Sequence, residues 1–66
     1  MKLQINGEQR EFPEGLTVGK LIEHLGMKAD RVAVELNLEI VPRTQWQAVA
    51  LKEGDRLEIV HFVGGG

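Results

Sequence analysis

Helical spacing occurs in one stretch of this chain. Val18, Leu21, Ile22 and Leu25 fall at i, i+3, i+4 and i+7, one stripe of a helix, while the apolar residues elsewhere recur at every second position. Thr17 supplies an N-cap hydroxyl, Gly26 stands where a left-handed C′ residue belongs, and Met27 follows as a residue able to fold back on the last turn. Lys20, Glu23 and His24 land on the opposite, solvated side. One helix of about ten residues can cover one face of a sheet, so the pattern points to an α+β plan. Gly19, inside that helix, has no local reason in the sequence and costs about 1 kcal/mol relative to Ala.

The strands follow from alternation and turn chemistry. Leu3 and Ile5 alternate with Lys2 and Gln4, and Asn6-Gly7 tolerates the positive φ of a type I′ hairpin turn, giving strands at Lys2 to Ile5 and Glu8 to Phe12. Pro13-Glu14-Gly15 closes the hairpin. Val32, Val34 and Leu36 alternate with Ala33 and Glu35 as a third strand, and Asn37 turns it. Leu38 to Val41 forms a short strand stopped by Pro42, and Thr44-Gln45-Trp46-Gln47 reads as a capped single turn leading into Leu51. Glu53-Gly54-Asp55 is the last tight turn, and the final strand runs from Arg56 to about Val63 before Gly64-Gly65-Gly66. The helix stripe should pack on Leu3, Ile5, Phe12, Val32, Val34, Leu36, Leu57 and Ile59. A ubiquitin-like β-grasp meets these constraints: a mixed sheet of four to five strands with one main helix on one face, the last strand inserted parallel to the first. Residues 1–63 are expected to form one domain and residues 64–66 a flexible glycine tail.

Composition excludes several function classes. The 66 residues include no cysteine, so no disulfide framework, thiolate metal site or nucleophilic thiol exists within the sequence. His24 and His61 lack ligand spacing, and no structural metal is expected. A net charge of −2 with scattered basic residues argues against a nucleic-acid partner. The longest apolar runs are a few residues, far short of a membrane span, and Met1 to Ile5 alternates where a signal peptide would carry an apolar block. The expected location is the cytoplasm.

Four segments together carry a family likeness: Val32-Ala33-Val34-Glu35-Leu36-Asn37; Glu39-Ile40-Val41-Pro42-Arg43 with Trp46; Gly54-Asp55-Arg56-Leu57-Glu58-Ile59-Val60; and Phe62-Val63-Gly64-Gly65-Gly66. They resemble the ThiS family of sulfur carriers in thiamine biosynthesis, over the whole chain and most specifically in its second half. Where that family often has Asn-Gly after the third strand, this chain has Asn37-Leu38, which leaves the local turn type open. The resemblance implies a carrier rather than an enzyme. By the same resemblance no bound cofactor is expected, and a ThiF-like activating enzyme would adenylate the Gly66 carboxylate with ATP and Mg. Sulfur from a cysteine desulfurase relay would then replace AMP, and the resulting thiocarboxylate would serve a ThiG-like thiazole synthase.

Gly66 is the expected sulfur-carrying residue and Gly64 and Gly65 the tail that delivers it, because residues without a Cβ can thread extended into a narrow site. With Leu57 and Ile59 facing the helix, Val60 and Phe62 should point away from it, and with Val63 they make a candidate patch for partner enzymes. Trp46 is expected as a lid on the sheet edge, Arg43 and Arg56 as solvated strand-end charges, and His61 as a bystander with no nucleophile or paired carboxylate nearby. Two other functions fit the same plan: a molybdopterin-type carrier, which the resemblance disfavours, and a non-covalent ubiquitin-like binding module.

Overall fold

The chain reverses direction at the turn residues. In the computed structural model, which describes residues 1–62, Asn6 (φ 50°) and Gly7 (φ 83°) both take left-handed conformations and join strand β1, Lys2–Ile5, to β2, Glu8–Glu11. Helix α1 spans Val18–His24, shorter than the expected length. Strand β3 is Val32–Leu36, β4 is Glu39–Ile40 and β5 is Arg56–His61, with short 3₁₀ turns at Ala29–Arg31 and Arg43–Gln45. The five strands form one sheet in the order β2-β1-β5-β3-β4. Within it β1 and β5 run parallel, Gln4 beside Arg56 and Ile5 beside Leu57, and the other pairings are antiparallel. This is the expected β-grasp with its mixed sheet.

The helix ends are closed by side chain, loop and glycine in turn. At the N-terminus Lys20 N–H donates to Thr17 Oγ1 at 3.2 Å, while the Val18 and Gly19 N–H groups, which have no partner inside the helix, donate to the Val49 and Trp46 carbonyls at 3.0 Å each. The 46–49 loop lies close to Gly19: a Cβ there would meet the Gln47 carboxamide, whose Cδ would lie 2.8 Å away, and that flexible side-chain end would have to move aside. At the C-terminus Gly26 (φ 73°) gives a Schellman closure, with Met27 N–H donating to Ile22 O at 3.1 Å and Gly26 N–H to Glu23 O at 2.9 Å.

The core lies between α1 and one face of the sheet. Leu3, Leu21, Ile22, Leu57, Val18, Val32 and Val34 are fully buried, with Ile5, Phe12, Leu51 and Ile59 close behind. Leu25 and Leu36, expected in the core, are half-buried and pack against it. Trp46 departs from its expected place at the sheet edge. Only 3% of it is exposed, and its Nε1–H donates to Val41 O at 2.9 Å, so it is a core residue whose one polar group is satisfied. The turn before it also differs from expectation: it begins at Arg43 after Pro42 and has no side-chain cap.

The turn between β3 and β4 is the strained place. Asn37 (φ 49°) and Leu38 (φ 73°) are both left-handed, the backbone of a type I′ turn, and Leu38 is not a residue that favours it. Asn37 is held by its amide: Nδ2–H donates to Asp55 Oδ1 at 3.1 Å and Oδ1 accepts from Arg56 N–H at 3.0 Å. The buried Asp55 carboxylate also accepts from Lys52 N–H at 2.8 Å, which ties the turn before β5 to the tip of the β3–β4 hairpin. Leu38 gains nothing comparable, being 89% exposed. Leu38→Gly therefore removes strain without removing packing, and should raise stability by about 1 kcal/mol, about 4–8 °C in a thermal melt of a domain this size.

Candidate functional site

Strand β5 positions the candidate site, and it is held from both sides. Toward β1, Gln4 N–H donates to Asp55 O at 3.0 Å and Asn6 N–H to Leu57 O at 2.9 Å. The β1 backbone then turns away, and the Asn6 side chain continues the ladder: its Oδ1 accepts from Ile59 N–H at 2.7 Å and its Nδ2–H donates to Ile59 O at 3.2 Å. One amide thus replaces a strand residue. Toward β3 the pairing reaches His61 opposite Val32, and Phe62 N–H donates to Arg31 O at 2.7 Å. The end of β5 is fixed on one edge by Asn6 and on the other by β3.

Alternation along β5 sorts its side chains. Leu57 and Ile59 are buried under the helix, whereas Val60 is 57% and Phe62 53% exposed, so these two stand where the sequence placed them. Val63, Gly64, Gly65 and Gly66 lie outside the described residues. Arg43, Arg56 and His61 are exposed, and none of them is in an ion pair among the described residues. The described residues contain no group of three or more His, Asp or Glu able to hold a metal ion, and no helix among them is long and apolar enough to cross a membrane.

Two exposed apolar residues were missed by the sequence reading. Leu38 and Ile40, 89% and 68% exposed, are more open than either Val60 or Phe62. Ile40 pairs with Glu35, which pairs in turn with Glu58, and directly opposed residues share a face. Ile40, Glu35, Glu58 and Val60 therefore occupy the outer face, away from the helix. The available signal was the hairpin register: a two-residue turn at Asn37-Leu38 puts Ile40 opposite Glu35. A shallow groove on the same face is lined by residues including Gln4, Asn37, Leu38, Arg56 and Glu58.

Comparison with known proteins covers the whole molecule. Residues 3–66 match the model of the ThiS family. A thiazole synthase of Paramagnetospirillum magneticum is 54% identical over 66 residues, which is all of this chain and 20% of that protein. The sulfur carrier protein ThiS of Bacillus subtilis is 37% identical over 65 residues, covering 97% of this chain and 98% of its own. The crystal structure of the thiamine biosynthesis protein ThiS from Geobacter metallireducens superposes with a TM-score of 0.86 at 38% identity, each chain covered in full. The chain spans about a fifth of the length of the thiazole synthases it matches.

Asn6→Gly keeps the positive φ and deletes the amide, so it isolates the side-chain rungs to Ile59. It should lower stability by about 1–2 kcal/mol and speed hydrogen exchange at the Ile59 amide. Val60→Asp, on the exposed face, should leave stability within about 0.5 kcal/mol of the unmodified protein in a thermal melt.

Proposed function

The chain belongs to the ThiS family, and from that premise we propose that it is a sulfur carrier of thiamine biosynthesis, a substrate of other enzymes with no turnover of its own. The observation that carries the proposal is the match to the family over residues 3–66, through the final glycines, on a fold that aligns in full with a ThiS structure.

The chemistry assigned to Gly66 follows from the inertness of a carboxylate. An ionised carboxylate resists nucleophilic attack, so it must first become a mixed anhydride. A ThiF-like adenylyltransferase supplies ATP and Mg: the Gly66 carboxylate oxygen attacks the α-phosphorus, pyrophosphate leaves, and an acyl adenylate forms. A persulfide of a cysteine desulfurase relay attacks the acyl carbon and AMP leaves; a thiol of the relay then attacks the S–S bond of the resulting acyl disulfide, becoming a disulfide itself and releasing the thiocarboxylate. A ThiG-like thiazole synthase takes that sulfur into the thiazole ring, and all of these partners work in the cytoplasm. Residues 1–63 act as the handle and Gly64-Gly65-Gly66 as the arm, with Val60, Phe62 and Val63 as contacts for the enzymes that receive it.

Incubation with the activating enzyme, ATP and a sulfur source should change the intact mass by the exchange of one oxygen for sulfur. Removal of Gly66 should abolish that exchange without changing the thermal melt. Each residue of an extended tail alters its reach by about 3.3–3.6 Å, more than a reacting site tolerates. Sulfur acquisition at a normal rate without Gly66 would overturn the assignment, and a non-covalent binding module would show no mass change in either protein.

A further inference from the structure

We propose that Asn6 is a site of spontaneous covalent modification, held back by its bonds to Ile59, and that its conversion to isoaspartate releases the end of β5 from β1. The reaction takes water as its one co-reactant and involves neither sulfur nor a partner protein, so it stands apart from the carrier role. What it alters is the strand that leads into the glycine tail.

The sequence holds one Asn-Gly pair, which sets a side-chain amide carbon beside the least hindered backbone nitrogen a chain can offer. The Gly7 nitrogen attacks Asn6 Cγ and closes a five-membered succinimide. The Cγ–Nδ2 bond breaks, and Nδ2 leaves as ammonia with the proton that the Gly7 nitrogen gives up. Water then adds to one of the two ring carbonyls. Opening at Cγ gives aspartate, and opening at the former backbone carbonyl gives isoaspartate, whose main chain runs through Cβ and Cγ. Here the nucleophile is open: both residues are exposed, a Cβ on Gly7 would meet nothing within 4 Å, and among the described residues the Gly7 N–H donates no hydrogen bond. The electrophile is held. Asn6 Oδ1 accepts from Ile59 N–H at 2.7 Å and Nδ2–H donates to Ile59 O at 3.2 Å, so the carboxamide is directed at β5 and must leave both bonds before Gly7 can reach it. Opening of the β5 end therefore sets the rate.

The second hairpin turn is the natural contrast. Asn37 is also left-handed and also anchored through its amide, to Asp55 and Arg56, but the residue after it is Leu38, whose side chain crowds the attacking nitrogen. The strained leucine keeps that turn out of the reaction. At the first turn the products undo the latch in two degrees. Aspartate at position 6 still accepts from Ile59 N–H but sets a carboxylate oxygen against Ile59 O where the Nδ2 donor was. Isoaspartate adds a methylene to the backbone, which the two-residue turn between Ile5 and Glu8 cannot accommodate, and draws the carboxylate one carbon closer to the main chain. Both rungs to Ile59 are then lost, and beyond Leu57 the strand is held by β3 alone.

The test is incubation of the folded protein, and of the same protein unfolded in guanidinium chloride, in warm and mildly alkaline buffer. Conversion is read by peptide mapping and by enzymatic methylation of isoaspartate, with Asn6→Gly giving the background. The folded protein should accumulate isoaspartate at position 6 at least about tenfold more slowly than the unfolded one, while Asn37 persists in both. At guanidinium concentrations below the unfolding transition, the rate should rise in step with hydrogen exchange at the Ile59 amide. The isolated product should exchange that amide about tenfold faster than the unmodified protein. Three results would overturn the proposal: a folded protein that forms no isoaspartate at position 6, one that converts within about twofold of the unfolded rate, or a product whose Ile59 exchange is unchanged. None of these readouts depends on sulfur transfer, so the carrier role and this modification fail separately.

Discussion

The parallel pairing of β1 with β5 is the constraint on which the rest of the molecule depends. It joins residues more than fifty positions apart, Gln4 to Arg56 and Ile5 to Leu57, at the centre of the sheet. A parallel pair cannot be closed by a hairpin and needs a crossover. Here the crossover contains α1, which is why the only helical stripe lies over Leu3, Ile5, Leu57 and Ile59. Without that pairing the hairpin of β1 and β2 and the β3–β4 hairpin would be separate two-stranded pieces, each marginal in water. The side chains of Asn6, Asn37 and Glu53 all serve this junction, each bonding backbone on or beside it.

The second layer of organisation is the loop from Trp46 to Leu51. Its carbonyls take the first two N–H groups of α1, and Leu51 N–H returns a bond to Leu16 O at 2.9 Å. A short helix needs such partners, since seven residues are too few to be stable by themselves. Gly19 N–H bonds the Trp46 carbonyl at 3.0 Å, and the Trp46 ring is part of the core. Helix and loop are therefore one unit, although the sequence separates them by more than twenty residues.

What was legible beforehand is what local chemistry decides. Asn6-Gly7, the Val18-Leu21-Ile22-Leu25 stripe, Gly26 and the alternation of β3 and β5 all behave as their own residues dictate, and Val60 and Phe62 emerge on the outer face for the same reason. What was missed depends on partners distant in sequence. The place of Trp46 in the core requires the helix above it. The neighbour of Gly19 is Gln47, and the partner of the Asn6 amide is Ile59, neither of which is visible from its own segment. The left-handed Leu38 is a different kind of omission: Asn37 commits the turn through Asp55 and Arg56, and Leu38 accepts the conformation its neighbour imposes.

The burial of Trp46 has a spectroscopic consequence. The sequence holds one tryptophan and no tyrosine, so near-ultraviolet emission comes from a single indole. That ring sits 3% exposed beneath the helix, with its N–H bonded to Val41 O. Loss of the core must shift the emission to the red as the ring meets water. The protein thus carries a single chromophore that reports its folding from within the core.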